Sequence, residues 1–240
     1  MSKIRLNRFL ALAGAGSRRA CDEIIRSGRV FVDGQLCDQP GLSVDPKKQT
    51  VNLDGKKMRV EESRVYLLNK PSGVLSTVKD PHGGETVLDL ARAQGVAHRV
   101  YPVGRLDKKS RGLILISNDG DLSLRLLHPR YDVEKVYRVR INLPITKSQM
   151  WRFSGGVVLS DGKTRPCSIR PLKTRATYEV RLKEGRKRQI RRMFEIMNRR
   201  VIDLERIAIG PLKLGRLPEG KLRELERSEL RALKEAVGLS

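Results

Sequence analysis

One carboxylate lies among cations in the polar stretch from Arg105 to Lys109, which reads R-L-D-K-K. The neighbouring positive charges favour the ionised form of Asp107. An ionised carboxylate suits covalent nucleophilic chemistry better than general-acid chemistry. An aspartate beside Lys and Arg in a turn is more often a cap or one half of a solvated ion pair, so the spacing alone leaves both roles open.

Two short apolar segments are predicted to hold this loop in place. Residues 100–103 are typical of a strand, which Gly104 ends. Residues 113–116 form an unbroken apolar run that stops at the turn formers 118–120, as expected for a strand buried on both faces. Asp107 is therefore predicted to lie in a loop between two core strands.

Further strands are interleaved with few helices downstream of residue 60. The pattern predicts strands at 65–68, 136–141, 178–182, 201–204 and 207–209, and helices at 122–127, at 190–197 and after a cap at Ser228. Residues 75–89 contain Pro and Gly breakers and are predicted to be a loop that covers a site or merely connects two elements. No ~30-residue βαβ period and no nucleotide-binding glycine motif is present. These features favour an α+β domain on a mainly antiparallel mixed sheet.

The densest positive patch is the loop Arg186-Lys187-Arg188, directly before the apolar face formed by Ile190 and Phe194. Solvation alone is a poor reason to gather so much charge, so we interpret the loop as a contact for a polyanion. A solvated helix face is the alternative.

The composition also indicates a polyanionic partner. The 240 residues carry a formal net charge of +23, and 39% of them are hydrophobic, enough for a core. Nucleic acid is the leading partner, because no apolar run approaches the length of a membrane span and the basic residues are not gathered in one arm. The three cysteines and three histidines have no metal-ligand spacing. We expect no metal, a reducing compartment and, without a secretion signal, the cytoplasm.

Residues 1–60 are predicted to form a small module of two short helices followed by short strands, separate from a larger domain at 61–240. Their sequence contains L-N-R-F-L at Leu6 to Leu10, S-R-R at Ser17 to Arg19, and I-x-x-G-R-V-x-V-D-G at Ile25 to Gly34. This pattern resembles the S-four-type RNA-binding module of a ribosomal small-subunit protein. The resemblance implies that RNA is contacted by Arg5, Arg8, Ser17, Arg18, Arg19 and Arg29.

The larger domain resembles the ribosomal-RNA pseudouridine synthases that carry such a module. The matching motifs are L-N-K-P-x-G at Leu68 to Gly73, G-R-L-D at Gly104 to Asp107, G-L-I-L-I-S-N-D-G at Gly112 to Gly120, K-x-Y-R-V at Lys135 to Val139, and E-G-R-K-R-Q-I-R-R-M-F at Glu184 to Phe194. The family usually has Thr where this chain has Ser110, which keeps the hydroxyl. The resemblance covers nearly the whole chain.

The resemblance implies that a uridine in ribosomal RNA is isomerised to pseudouridine without a cofactor, with large-subunit RNA favoured. Asp107 would attack either the sugar C1′ or the uracil C6, and the target base would leave its stack. Tyr137 would stack on that base or move a proton, and Arg191 would pair with Asp107. The implied substrate contacts are Arg105, Leu204, Arg186, Lys187, Arg188 and Arg192.

Plainer roles stay open for several of these residues. For Leu204, core packing is an equally good explanation; Tyr137 is alternatively a core aromatic with its hydroxyl hydrogen-bonded, and Arg191 is alternatively one more phosphate contact. The chain as a whole is an enzyme or, alternatively, a catalytically silent ribosome-assembly factor that binds ribosomal RNA. A glycosidase or deaminase is a weaker alternative, because a deaminase needs zinc ligands. We expect a monomer.

Overall fold

The computed structural model describes residues 3–239. The chain divides into two compact units, of which the first ends at Ser63 and the second begins at Arg64. The division predicted from the sequence, after residue 60, lies three residues earlier.

The first unit packs two helices against short antiparallel strands. Ser17 caps the second helix, as predicted, because its hydroxyl accepts a hydrogen bond of 3.1 Å from the Ala20 backbone N–H. Asn7 Nδ2 donates to Asp22 Oδ1 at 2.8 Å and so joins the two helices. The elements are β1 (Ile4–Arg5), α1 (Leu6–Leu12), α2 (Arg18–Arg26), β2 (Val30–Val32), β3 (Gln35–Cys37), β4 (Ser43–Val44), β5 (Val51–Leu53) and β6 (Lys56–Lys57).

The second unit is built on a nine-stranded sheet with helices on both faces. Its elements are β7 (Val65–Lys70), α3 (Val87–Ala93), β8 (Tyr101–Val103), β9 (Arg111–Ser117), α4 (Gly120–Leu127), β10 (Lys135–Ile141), α5 (Lys147–Ser154), β11 (Val158–Leu159), β12 (Gly162–Lys163), β13 (Ser168–Pro171), β14 (Thr177–Leu182), α6 (Gln189–Glu195), β15 (Val201–Ile209), β16 (Leu212–Lys213), β17 (Leu222–Glu224) and α7 (Arg227–Glu235). A single 3-10 turn spans Pro129–Tyr131.

The strand order β13-β14-β10-β15-β9-β7-β17 confirms the predicted α+β class with a mainly antiparallel sheet. Among the described strands of this sheet, only β9 and β15 run parallel. Ile114 and Ile116 of β9 pack into one core with α3, α5 and α6, whereas Leu113 and Leu115 pack into a second core with α4 and α7. Burial on both faces, which the unbroken apolar run predicts, is therefore confirmed.

Three predictions differ from the structure. Residues 201–204 and 207–209 are one continuous strand, β15, although Glu205 and Arg206 interrupt the apolar pattern. The predicted loop 75–89 contains the start of α3, which a capping box of Thr86 and Asp89 opens. The last helix begins after Glu226, so Ser228 lies inside its first turn and is not its cap.

A row of alternating charges crosses five neighbouring strands of the sheet. Directly paired positions bring together Arg170, Glu179, Arg138, Glu205 and Arg111 in that order. The closest nitrogen–oxygen distances are 2.8 Å for Arg170–Glu179, 3.1 Å for Arg138–Glu205 and 2.9 Å for Arg111–Glu205. Both glutamates are buried, and these cations compensate their charges.

Candidate active site

Asp107 lies in the loop between β8 and β9, as predicted, and it is half-buried. The Asp107 carbonyl accepts a hydrogen bond of 2.9 Å from the Ser110 N–H, which closes a turn. The segment after β7 holds this turn from one side. Ser76 Oγ donates to the Leu106 carbonyl at 2.9 Å and accepts from the Leu106 N–H at 3.1 Å. Gly73 N–H donates to the Lys108 carbonyl at 2.8 Å.

Lys70 fixes the same loop from inside the protein, a role that the sequence reasoning missed. Its side chain is fully buried at the end of β7, and Nζ donates to the carbonyls of Pro71 at 2.8 Å, Ser110 at 2.7 Å and Lys108 at 3.4 Å. Burial lowers the pKa of Lys70 to about 8, against the attraction of the Asp107 carboxylate. The available signal was a lysine two residues after the apolar run Val65–Leu68, on the same strand.

Arg191 of α6 approaches the loop from the opposite end. Its guanidinium is buried, and Nη2 donates to the Lys109 carbonyl at 3.3 Å and to Ser110 Oγ at 3.4 Å, while Nη1 donates to the Val201 carbonyl at 3.2 Å. Within residues 3–239, Arg191 forms no salt bridge with Asp107, contrary to the direct pairing that we expected. Burial lowers the pKa of Arg191, and the Asp107 charge acts against that shift. The two groups therefore interact across space, and Arg191 contacts the loop through its backbone and Ser110.

Tyr137 and Leu204 lie on neighbouring strands and belong to the same core as Leu106 of the Asp107 loop. Leu204 pairs with Val139, two residues beyond Tyr137 on β10. The Tyr137 hydroxyl donates to no group among the described residues. By contrast, the buried Tyr178 hydroxyl accepts a hydrogen bond of 2.9 Å from the Ile145 N–H. Tyr66 of the same core resembles Tyr137 in this respect, because its hydroxyl also has no hydrogen-bond partner among the described residues.

The basic residues around α6 divide into two groups. Arg186 donates to the carbonyls of Gly162 at 2.9 Å and Lys163 at 2.7 Å, and Arg192 forms two hydrogen bonds of 2.9 and 3.0 Å with the Asp161 carboxylate. Both guanidinium groups therefore hold the β11–β12 hairpin. The remaining predicted contacts of this unit, Arg105, Lys187 and Arg188, are exposed.

The predicted RNA contacts of the first unit are also unequal. Arg5, Arg18 and Arg19 are exposed, whereas Arg8 is half-buried. Arg29 forms two hydrogen bonds with Asp54, at 2.8 and 2.5 Å, and the Ser17 hydroxyl caps α2. Arg18 and Arg19 occupy the first turn of α2, where the helix dipole favours anions.

Within residues 3–239, no cluster of three or more His, Cys, Asp and Glu side chains could hold a metal ion. None of the described helices is long and apolar enough to cross a membrane.

Comparisons with known proteins match both units. The RNA pseudouridylate synthase family matches residues 64–196, and the S4 domain family matches residues 4–49. A protein of Aquifex aeolicus named uncharacterized RNA pseudouridine synthase is 39% identical, over 100% of this chain and 97% of that protein. Ribosomal large subunit pseudouridine synthase B of Bacillus subtilis is 35% identical, over 96% of this chain and 95% of that protein. A crystal structure of a pseudouridylate synthase superposes with a TM-score of 0.68 and 26% identity, over 96% of this chain and 99% of the other.

Proposed function

This chain belongs to the RNA pseudouridylate synthase family, and from that premise we propose that it isomerises a specific uridine of large-subunit ribosomal RNA, with Asp107 as the nucleophile. The name of the Bacillus subtilis relative supports the choice of large-subunit RNA. The observation that carries the proposal is the support of the loop around one half-buried carboxylate by three buried or half-buried groups, Lys70, Ser76 and Arg191.

These contacts fix the position of Asp107 as the nucleophile. Hydrogen bonds from Ser76 and Lys70 reach the backbone on both sides of Asp107, and Arg191 reaches the residues that follow it. The loop backbone is therefore preorganised, and the carboxylate itself is left free of hydrogen bonds within the described residues. A carboxylate that is held but unpaired can attack a substrate carbon without first breaking an ion pair.

The proposed reaction is an isomerisation, so it consumes no second reactant. Asp107 forms a covalent bond to the sugar C1′ or the uracil C6, the C1′–N1 bond breaks, and the base turns so that a C1′–C5 bond forms. C5 loses its proton, N1 gains one, and the carboxylate is released. The Tyr137 hydroxyl, which has no partner among the described residues, is the group that we assign to the base or to its C5 proton. Leu204, in the same core, packs beneath the extruded base.

The first unit supplies RNA affinity in this proposal. Arg5, Arg18 and Arg19 are exposed and contact phosphates, with Arg8 nearer the core. Arg29 must exchange its Asp54 partner for a phosphate if it takes part. In the second unit, the exposed Arg105, Lys187 and Arg188 take the same role more readily than Arg186 and Arg192, which hold the hairpin.

Asp107→Asn tests the proposal, because it removes the nucleophile and barely changes the shape of the side chain. We expect no pseudouridine from Asp107→Asn in single-turnover reactions on a transcript of large-subunit ribosomal RNA, with an RNA affinity within a few-fold of the wild type. Asp38→Asn is the matched control, since Asp38 is exposed and its loss changes the net charge equally.

A wild-type rate in Asp107→Asn would exclude the nucleophile. If the wild-type chain itself leaves every uridine of the ribosomal RNA transcripts unchanged but binds them, the catalytically silent assembly factor becomes the better description.

A further inference from the structure

Helix α5 presents an unusual residue to solvent. Phe153 on this helix is fully buried and packs on Phe194 of α6, with ring centroids 4.7 Å apart. Trp151 is two residues earlier and thus about 200° away around the helix. Its side chain is 77% exposed, and it is the one tryptophan in the chain. Scattered apolar residues are normal on surfaces, but an indole of this size is normally buried for most of its area.

The segment that carries Trp151 is basic. Residues 141–160 contain no Asp or Glu, and the cations Lys147 and Arg152 of α5 are exposed. Strand β13 packs beside α5, and the turn after it adds the exposed Lys173 and Arg175. An apolar protein surface docked on Trp151 would leave these cations without counter-charges. A single-stranded polyanion with flat, stackable groups satisfies both features.

We propose that Trp151 stacks on an unpaired base of the RNA substrate, while Lys147 and Arg152 contact the phosphates on either side of that base. This RNA contact rests on the proposed function for its choice of polyanion. It lies on the outer side of the helix that packs against α6, and so it extends the RNA contact beyond the Asp107 loop. Stacking on an aromatic side chain tolerates any base, so Trp151 contributes affinity and strand position more than sequence choice.

The single tryptophan makes the contact directly measurable. Adding fragments of a large-subunit ribosomal RNA transcript to the full-length chain should quench the tryptophan fluorescence, because stacking brings a base onto the indole. Trp151→Ala should weaken RNA affinity about 5- to 100-fold, and Trp151→Phe should weaken it less, because a smaller ring still stacks. Lys147→Gln and Arg152→Gln should each reduce the salt dependence of binding by about one unit.

Leu124→Ala is the matched control for the loss of an exposed apolar side chain, since Leu124 is 57% exposed on α4. It should leave RNA affinity unchanged. The proposal is overturned if RNA leaves the fluorescence unchanged and Trp151→Phe and Trp151→Ala bind RNA as the wild type does. It is also overturned if Trp151 fluorescence shifts with protein concentration in the absence of RNA, which would identify a contact between copies of the chain.

The enzymatic readout separates this inference from the proposed function. At sub-saturating enzyme, Trp151→Ala should form pseudouridine more slowly than the wild type, in step with its weaker RNA affinity, whereas Leu124→Ala should match the wild type. Quenching by RNA without any pseudouridine formation in the wild type would sink the proposed function and leave the stacking contact standing.

Discussion

At the scale of single residues, the buried ammonium group of Lys70 holds the Asp107 loop in place. Its ammonium group donates to three backbone carbonyls, two of them in the Asp107 loop, and this is the reason for its burial. Burying an ammonium group opposes its charged form, so the pKa of Lys70 falls from 10.5 to about 8. Local sequence could not reveal this role, because the accepting carbonyls of Lys108 and Ser110 lie about 40 residues away.

The lowered pKa of Lys70 predicts a pH dependence of stability. Between pH 8 and 10.5 the unfolded chain binds a proton that the folded chain has lost, so the free energy of unfolding rises with pH in that window. Below pH 8 the folded state carries the buried charge, and this contribution is smallest. In Lys70→Met, we expect the rise in unfolding free energy from pH 8 to pH 10 to be smaller than in the wild type by about 2 kcal/mol.

Urea unfolding at both pH values measures this difference. Lys109→Met, which removes an exposed lysine of the same loop, should keep the wild-type rise. Lys135 also has a pKa lowered to about 8 by burial, and it contributes equally to all three proteins. An identical rise in Lys70→Met and the wild type would contradict the assigned pKa.

At the scale of elements, sequence periodicity predicted the two strands that flank the Asp107 loop and the strand that carries Tyr137. The same periodicity predicted two strands in place of β15, because Glu205 and Arg206 interrupt the apolar pattern. The arginines that neutralise Glu205 lie 67 and 94 residues earlier in the chain, so no local pattern could show that Glu205 is compensated. Helix α5 was missed although Thr146 and Gln149 form a capping box, which is a readable signal.

The parallel contact of β9 with β15 depends on Gly112. Gly112 has a φ of +99°, and a Cβ there would lie 2.4 Å from the Arg206 carbonyl oxygen and 2.8 Å from the Arg206 nitrogen. Both atoms are backbone, so neither can turn away as a side chain can. We expect Gly112→Ala to lower the free energy of unfolding by about 2–4 kcal/mol, measured in urea.

Gly185→Ala is the control for this substitution, since a Cβ at Gly185 meets no atom within 4 Å and the backbone there needs no left-handed conformation. It should stay within about 0.5 kcal/mol of the wild type. Equal stability of Gly112→Ala and Gly185→Ala would mean that β9 and β15 separate easily at this point.

At the scale of the whole molecule, each unit has a core of its own, the first formed by residues such as Leu10 and Ile25 and the second by the two faces of the large sheet. A chain that begins at Arg64 should therefore fold and keep its chemistry at high enzyme concentration. It should bind RNA more weakly and with a shallower dependence on salt, because the arginines of the first unit no longer neutralise phosphates. Binding titrations of both chains at several salt concentrations measure the two slopes.

A full-length Arg18→Gln, Arg19→Gln variant avoids any change in folding caused by truncation. Its slope should fall by about two units, one for each phosphate that an arginine no longer neutralises. Equal slopes for the wild type, this variant and the shortened chain would exclude phosphate binding by the first unit.

The charge row from Arg170 to Arg111 has a consequence for how the sheet finds its alignment during folding. If β14 slides along β10 by two residues, every apolar side chain stays on its own face of the sheet. Hydrophobic burial alone therefore does not oppose this misalignment. One such slide moves Arg138 from Glu179 to Arg181 and sets two guanidinium groups opposite each other. The same slide moves Glu179 opposite Arg140, so the charge row disfavours this misalignment only through the Arg138–Arg181 pair, a repulsion that the apolar residues do not supply.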